Sequence, residues 1–149
     1  MIRNRTTVKP GLFLQPHVVA NLSGTLIEEI VEGSGITASE FAVSSWVNVR
    51  GASTPGELSR ELGLSPTTVS AMVDRLVRKK QLRRARHPED GRSYVLEPTA
   101  KGRSTQAAIG KRFAKKLQAV RGNLAEGDAE EILEAMRRFE DALRKTLAE

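Results

Sequence analysis

The stretch "TPGELSRELGLSPTTVSAMVDRL", from Thr54 to Leu76, leaves a chain little freedom in how it folds. Thr54 and Glu57 have the spacing of a capping box, in which each side chain takes the backbone N–H of the other. Pro55 falls at the first helical position, where a missing N–H costs nothing. The helix so begun is short, with Leu58 and Leu62 one turn apart. Gly63 closes it, since glycine takes the positive φ of a helix end cheaply. Ser65 and Pro66 then start a second helix, in which Val69, Met72, Val73 and Leu76 follow the i, i+3, i+4, i+7 pattern. Two short amphipathic helices around a Gly-Leu turn predict a helix-turn-helix.

The second helix of such a motif commonly enters the DNA major groove. Its outward positions here are Thr67, Thr68, Ser70, Ala71, Asp74, Arg75 and Arg78. Ser65, Thr67, Thr68 and Ser70 are small hydroxyl residues near a helix N-terminus. They let the backbone come close to DNA while their oxygens and the free N–H groups bond phosphates or base edges. The plainer alternative is a surface helix that is merely rich in threonine and serine.

Upstream, an apolar stripe of Val19, Leu22, Leu26 and Ile30 predicts a helix over about 15–32, ended by "GSG". Thr37 and Glu40 form a second capping box, opening a helix with Phe41, Val43, Trp46, Val47 and Val49. Downstream, 82–86 and 92–96 read as two short strands bridged by "HPEDG" (87–91), with Asp90-Gly91 as the turn signal. Thr99 caps a further helix. Its stripe is Ile109, Phe113, Leu117 and Val120, and a last helix carries Ile132, Met136, Phe139, Leu143 and Leu147.

Charge singles out the middle of the chain. The net charge is +6, yet 51–103 holds eleven cations against six anions, while 1–50 balances four against four. A segment facing a polyanion has this distribution, although basic stretches are more often merely solvated. With 39% hydrophobic residues in 149, the chain is long and apolar enough for a real core. It has no cysteine, which excludes disulfides and thiol chemistry. No apolar run is long enough for a transmembrane helix and the N-terminus lacks the apolar core of a secretory signal, so the cytoplasm is the expected location.

The order helix, helix, short helix, turn, recognition-type helix, hairpin, long helix, helix resembles the MarR family of winged helix-turn-helix regulators. The matching motifs are "ITASEFAVSSWV" before the motif, "TPGELSRELGLSPTTVSAMVDRLVRKKQLRR" for the motif itself, and "HPEDGRSYVLEPTAKG" for the wing. The last carries Asp-x-Arg at its tip (Asp90, Gly91, Arg92) and Thr-x-x-Gly leaving it (Thr99 to Gly102). The resemblance implies a mainly α fold with a small β-wing. It implies one domain over 15–149, preceded by an arm at 1–14. Within it, 36–102 would be the DNA-binding lobe, and 15–33 and 103–149 dimerisation helices.

It further implies a homodimeric, sequence-specific regulator of transcription, a repressor released by a small molecule, acting on a pseudo-palindromic operator in double-stranded DNA. The DNA-contacting residues would be Ser65, Thr67, Thr68, Ser70, Arg75, Arg78, Arg84, Arg86, Asp90 and Arg92, with Asp90 bracing the Arg92 guanidinium. An effector pocket between the dimerisation helices and the lobe would draw on His17, Trp46 and Arg50. Trp46 fits a core role better, and His17 an incidental one. Oxidant sensing through cysteine, known in the family, is ruled out here.

Neither an enzyme nor a metal or cofactor protein is expected. There is no Walker-type loop, no HExxH and no cysteine, and the two histidines stand in unrelated contexts. The remaining rivals are a winged-helix protein–protein adaptor and a DNA-binding protein without a ligand. An adaptor needs exposed apolar anchors on the second helix, where this chain has Thr, Ser, Asp and Arg.

Overall fold

The computed structural model describes residues 11–149. Helices α1 (Leu14–Val31), α2 (Ala38–Arg50), α3 (Pro55–Leu62) and α4 (Pro66–Arg78) are followed by strands β1 (Leu82–Arg86) and β2 (Tyr94–Pro98), then by α5 (Ala100–Gly122) and α6 (Asp128–Leu147). The sequence thus predicts the order and kind of these elements. Of the N-terminal arm, 1–10 lies outside the described residues, and Leu14 is already helical.

Both capping boxes form. Thr37 and Thr54 accept the N–H of Glu40 and Glu57, and each glutamate accepts the N–H of its threonine. Gly63 ends α3 at φ 63°, the left-handed conformation that the reading of the turn required. Around this motif lies the core of the first compact unit, which ends at Lys111. Val43 and Val47 of α2, Leu58 of α3, and Val69, Val73 and Leu76 of α4 are fully enclosed. Leu82 and Leu96 of the strands and Ile109 of α5 join them, and α1 contributes Ile30 and Val31. Val49, by contrast, is 83% exposed on the far side of α2.

The strands pair antiparallel, from Leu82 opposite Pro98 to Arg86 opposite Tyr94. A third segment secures the base of the hairpin, because Ser53 and Leu96 exchange backbone hydrogen bonds at 3.2 and 2.8 Å. The hairpin is therefore fixed to the loop between α2 and α3. One expectation needs correcting: the return strand is not 92–96 but Tyr94–Pro98. Ser93 N–H donates to Asp90 C=O at 3.1 Å and is spent on closing the turn, and only its C=O reaches across the hairpin, accepting the His87 N–H at a long 3.4 Å.

Two close approaches fix where α5 leaves the hairpin. Thr99 N–H donates to Gln81 C=O at 3.1 Å, and Thr99 Oγ1 accepts the N–H of Gly102 at 2.9 Å. A Cβ on Gly102 would stand 2.0 Å from the Gln81 carbonyl oxygen. The Thr-x-x-Gly motif is thus a fastening of α5 to the corner between α4 and β1.

The second compact unit is Arg112–Glu149, made of the end of α5 and all of α6. Arg121 and Glu130 pair at 3.1 Å across its turn. Both are exposed, so the pair contributes at most about 1 kcal/mol. Phe113, Leu117, Val120, Ile132 and Met136 stay exposed in the single chain. The same holds for Leu14, Val18 and Leu22 on α1 in the first unit. Among the described residues, no helix is long and apolar enough to cross a membrane.

Candidate nucleic-acid interface

The exposed side of α4 begins at its cap. Ser65 Oγ accepts the N–H of Thr68 at 3.1 Å and lies 2.8 Å from Thr68 Oγ1. Thr68 is half-buried and occupied with this cap, whereas Thr67, Ser70, Ala71, Asp74 and Arg78 are exposed. The sequence-predicted hydroxyls therefore divide, with Ser65 and Thr68 shaping the helix start and Thr67 and Ser70 facing outward. Arg78 is exposed one turn past Asp74 and donates through Nε to its carbonyl at 3.4 Å.

Arg75 lies elsewhere. Its Nε donates to Glu40 Oε1 at 3.0 Å, so the residue expected on DNA is engaged with the start of α2 while its side chain stays 42% exposed. Glu40 is fully buried, and its Oε2 accepts Lys79 Nζ at 2.7 Å and the Thr37 N–H at 2.9 Å. Burial alone would push this carboxyl up. The bonds from Lys79, Thr37 and Arg75 outweigh it and hold the group below its ordinary value. Nothing in the apolar spacing marked Glu40 beyond its capping role, because the two cations lie thirty-five and thirty-nine residues away.

Arg84 joins hairpin to helix. Its guanidinium pairs with the Asp74 carboxylate and lies 5.3 Å from the centre of the Tyr94 ring. Bonding to Tyr94, then to Asp74, raises its already high pKa against partial desolvation. Arg83 pairs with Glu97 at 2.6 Å, directly across the strands. Arg86 is exposed, with Nη2 3.3 Å from where a Cβ on Gly91 would sit. At the tip, Asp90 Oδ1 accepts the backbone N–H of Arg92 at 3.0 Å. Asp90 thus braces the turn through the backbone and not through the guanidinium, as the sequence had suggested. The Arg92 side chain is exposed.

His87 was missed by sequence reasoning. Its Nδ1 accepts the N–H groups of Glu89 and Asp90 at 3.2 and 3.0 Å, which organises the tip from its first residue. The only local signal was a polar acceptor immediately before Pro88 at the start of the loop.

The three residues expected at an effector site are not brought together. Arg50 lies over the Trp46 ring, 4.9 Å from its centre, and both line a depression of about 250 Å³ with Ser53, Glu57 and Arg60. His17 is exposed on α1 and does not line it. A more open hollow of about 860 Å³ lies between the end of α1 and the start of α2, bounded by Glu28, Glu32, Ile36, Thr37 and Lys79. Among the described residues, no group of three or more His, Asp and Glu could hold a metal ion.

Residues 34–93 match the model of the MarR family. The multiple antibiotic resistance protein MarR of Escherichia coli is 30% identical over 86 residues, which are 58% of this chain and 60% of that protein. The HTH-type transcriptional regulator YcgE of Bacillus subtilis, itself uncharacterized, is 34% identical over 64 residues, 43% of this chain and 42% of that one. Over this segment the chain is similar to the MarR family. The match spans less than two thirds of either relative. In three dimensions the likeness reaches further. Wild-type E. coli MarR in its apo form superposes with a TM-score of 0.74 at 24% identity, covering 87% of this chain and 97% of that one. A cysteine-to-serine mutant of that protein, complexed with operator DNA, gives 0.76 at 24% identity over 83% and 89%. A MarR transcriptional regulator from Methanosarcina mazei gives 0.76 at 20% identity over 87% and 94%. At these identities the structures establish the fold, a MarR-type winged helix with long terminal helices.

Proposed function

We propose that this protein is a sequence-specific DNA-binding regulator of transcription that acts as a homodimer. One observation carries the reading: α4 exposes Thr67, Ser70, Ala71, Asp74 and Arg78 beside a hairpin whose strand and tip expose Arg83, Arg84, Arg86 and Arg92. Small polar groups suit base edges in a major groove, and flanking guanidinium groups suit the phosphates on either side. Arg92, at the end of the turn, suits a narrow A·T-rich minor groove, where the negative potential is enhanced. Among the site residues, Thr67, Ser70 and Arg78 read bases, Arg84 and Arg86 meet phosphates, and Asp90 orders the tip. Ser65 and Thr68 support the helix start, and Arg75 ties the helix to Glu40 of α2. The relative solved on operator DNA has this fold, which favours the same use here.

Two chains are proposed because apolar surface is left over at both ends. Leu14, Val18 and Leu22 of α1 and Ile132, Met136 and Leu147 of α6 are exposed in the single chain. Obligate homodimer interfaces bury more than about 2,000 Å² of such surface. The two recognition helices would then meet successive major grooves about 34–36 Å apart on a pseudo-palindromic site. Release of a repressor by a small molecule is the regulatory mode this family suggests. Of the three residues proposed for an effector, only Trp46 and Arg50 share a depression.

The test is titration of the purified protein against labelled duplexes from the DNA flanking its own gene and against scrambled duplexes of equal length. Selective binding with two chains per site supports the reading. Binding only to a peptide or protein partner, with no affinity for DNA, would favour the winged-helix adaptor.

A further inference from the structure

We propose that Glu40 is a positioning residue for DNA recognition: it holds the C-terminal part of α4 against α2 and keeps two cations of that corner from competing for phosphates. This inference rests on the regulator reading. Glu40 has no solvent exposure, and its two oxygens take three donors. Thr37 N–H at 2.9 Å is the cap of α2, Arg75 Nε at 3.0 Å belongs to the last turn of α4, and Lys79 Nζ at 2.7 Å belongs to the residue that ends α4. A helix cap alone needs no charge at this position, since glutamine closes a capping box as glutamate does. Two cations converge on this buried carboxylate, and although they keep 42% and 35% side-chain exposure, their charge-assisted bonds to it depend on its charge.

The geometry ties the start of α2 to the end of α4 through one side chain. If the tie is lost, the exposed Thr67, Ser70 and Asp74 are carried on a helix whose far end keeps its core packing through Val73 and Leu76 but loses its polar link to α2, which lets it shift slightly. A displacement of a fraction of an ångström is enough to misalign hydrogen bonds to base edges, whose geometry is narrow. Contacts to phosphate tolerate such a shift, and the released Arg75 and Lys79 add cations that any DNA sequence can attract. The signature of the role is therefore a change in selectivity and not a uniform loss of binding.

Glu40→Gln separates these effects, as it keeps the shape and the cap but removes the charge. The measurement is anisotropy titration of wild type and variant against cognate and scrambled duplexes at several salt concentrations, with thermal unfolding to confirm that the variant is folded. We expect the cognate-to-scrambled affinity ratio to fall by at least about tenfold, and the salt slope to steepen by roughly one unit for each freed cation that reaches a phosphate. A folded variant that keeps both the ratio and the slope of wild type overturns the proposal. Should Glu40→Gln fail to fold, Lys79→Met carries the test, because it leaves the bonds of Glu40 to Thr37 and Arg75 in place. It should lower the ratio in the same direction, and an unchanged ratio overturns the proposal equally. A wild type that shows no preference among sequences defeats the regulator reading itself, and this inference with it. A selective wild type beside an unaltered variant defeats the inference alone.

Discussion

At position 102 even one methyl group would stand 2.0 Å from a backbone oxygen, that of Gln81, so neither side can yield without moving the corner between α4 and β1. Gly102→Ala should therefore destabilise the fold by about 1–3 kcal/mol, the usual cost of overpacking, read as a lower urea midpoint. Arg92 makes the opposite case. It is exposed at the tip and only its backbone N–H is engaged, by Asp90. Arg92→Ala should leave unfolding unchanged while weakening cognate binding more than tenfold, about 1.4 kcal/mol. Arg92→Lys should recover only part, because an ammonium holds its water tightly and lacks the planar fork. Glu40 adds a dependence on pH. Its carboxyl is held below the ordinary value in the folded chain, so its charge contributes stability above the unfolded carboxylate pKa, about 4.3. That contribution drains away as pH falls through the lowered folded value. Urea midpoints at pH 7, 4.5 and 3 should thus fall less steeply in Glu40→Gln than in wild type.

Among elements, the corner after α4 departs most from local preference. Gln81 N–H returns to Leu76 C=O at 2.8 Å and Lys80 N–H to Val77 C=O at 2.9 Å, a Schellman ending with Lys80 at φ 57°. Lys80 is the one residue other than glycine with positive φ among those described. Lys80→Gly should stabilise the protein by about 1 kcal/mol, because glycine adopts this conformation without the Cβ clash, and a rise in thermal midpoint would show it. This corner also marks how far the sequence could be read. Caps and apolar spacing act within four residues, so α2, α3 and α4 were legible from Thr37, Thr54 and Ser65 onward. The turn was recognised, but its length was not, because Ser93 bonds back to Asp90 and shifts the return strand to Tyr94. The bonds from Arg75 to Glu40 and from Arg84 to Asp74 depend on residues ten to thirty-five positions away. No local pattern encodes such pairs. The fold was accordingly clearer in advance than the division of the cations between DNA and the protein itself.

For the whole molecule, the exposed apolar surfaces of α1 and α6 make assembly the first expectation. Met136→Glu should produce a folded monomer in sedimentation at micromolar concentration, where wild type sediments as a dimer. Loss of the dimer should also cost most of the affinity for a two-half-site duplex, since linked sites gain about 10²–10⁴ in avidity. The most direct test of the account is one titration at fixed salt: wild-type protein against a labelled duplex from the region flanking its gene, and against the same bases scrambled. The account predicts saturable binding by two chains, with a preference for the native sequence of at least about 10³-fold, the lower end for specific DNA recognition. Equal affinity for both duplexes, or none for either, would contradict it.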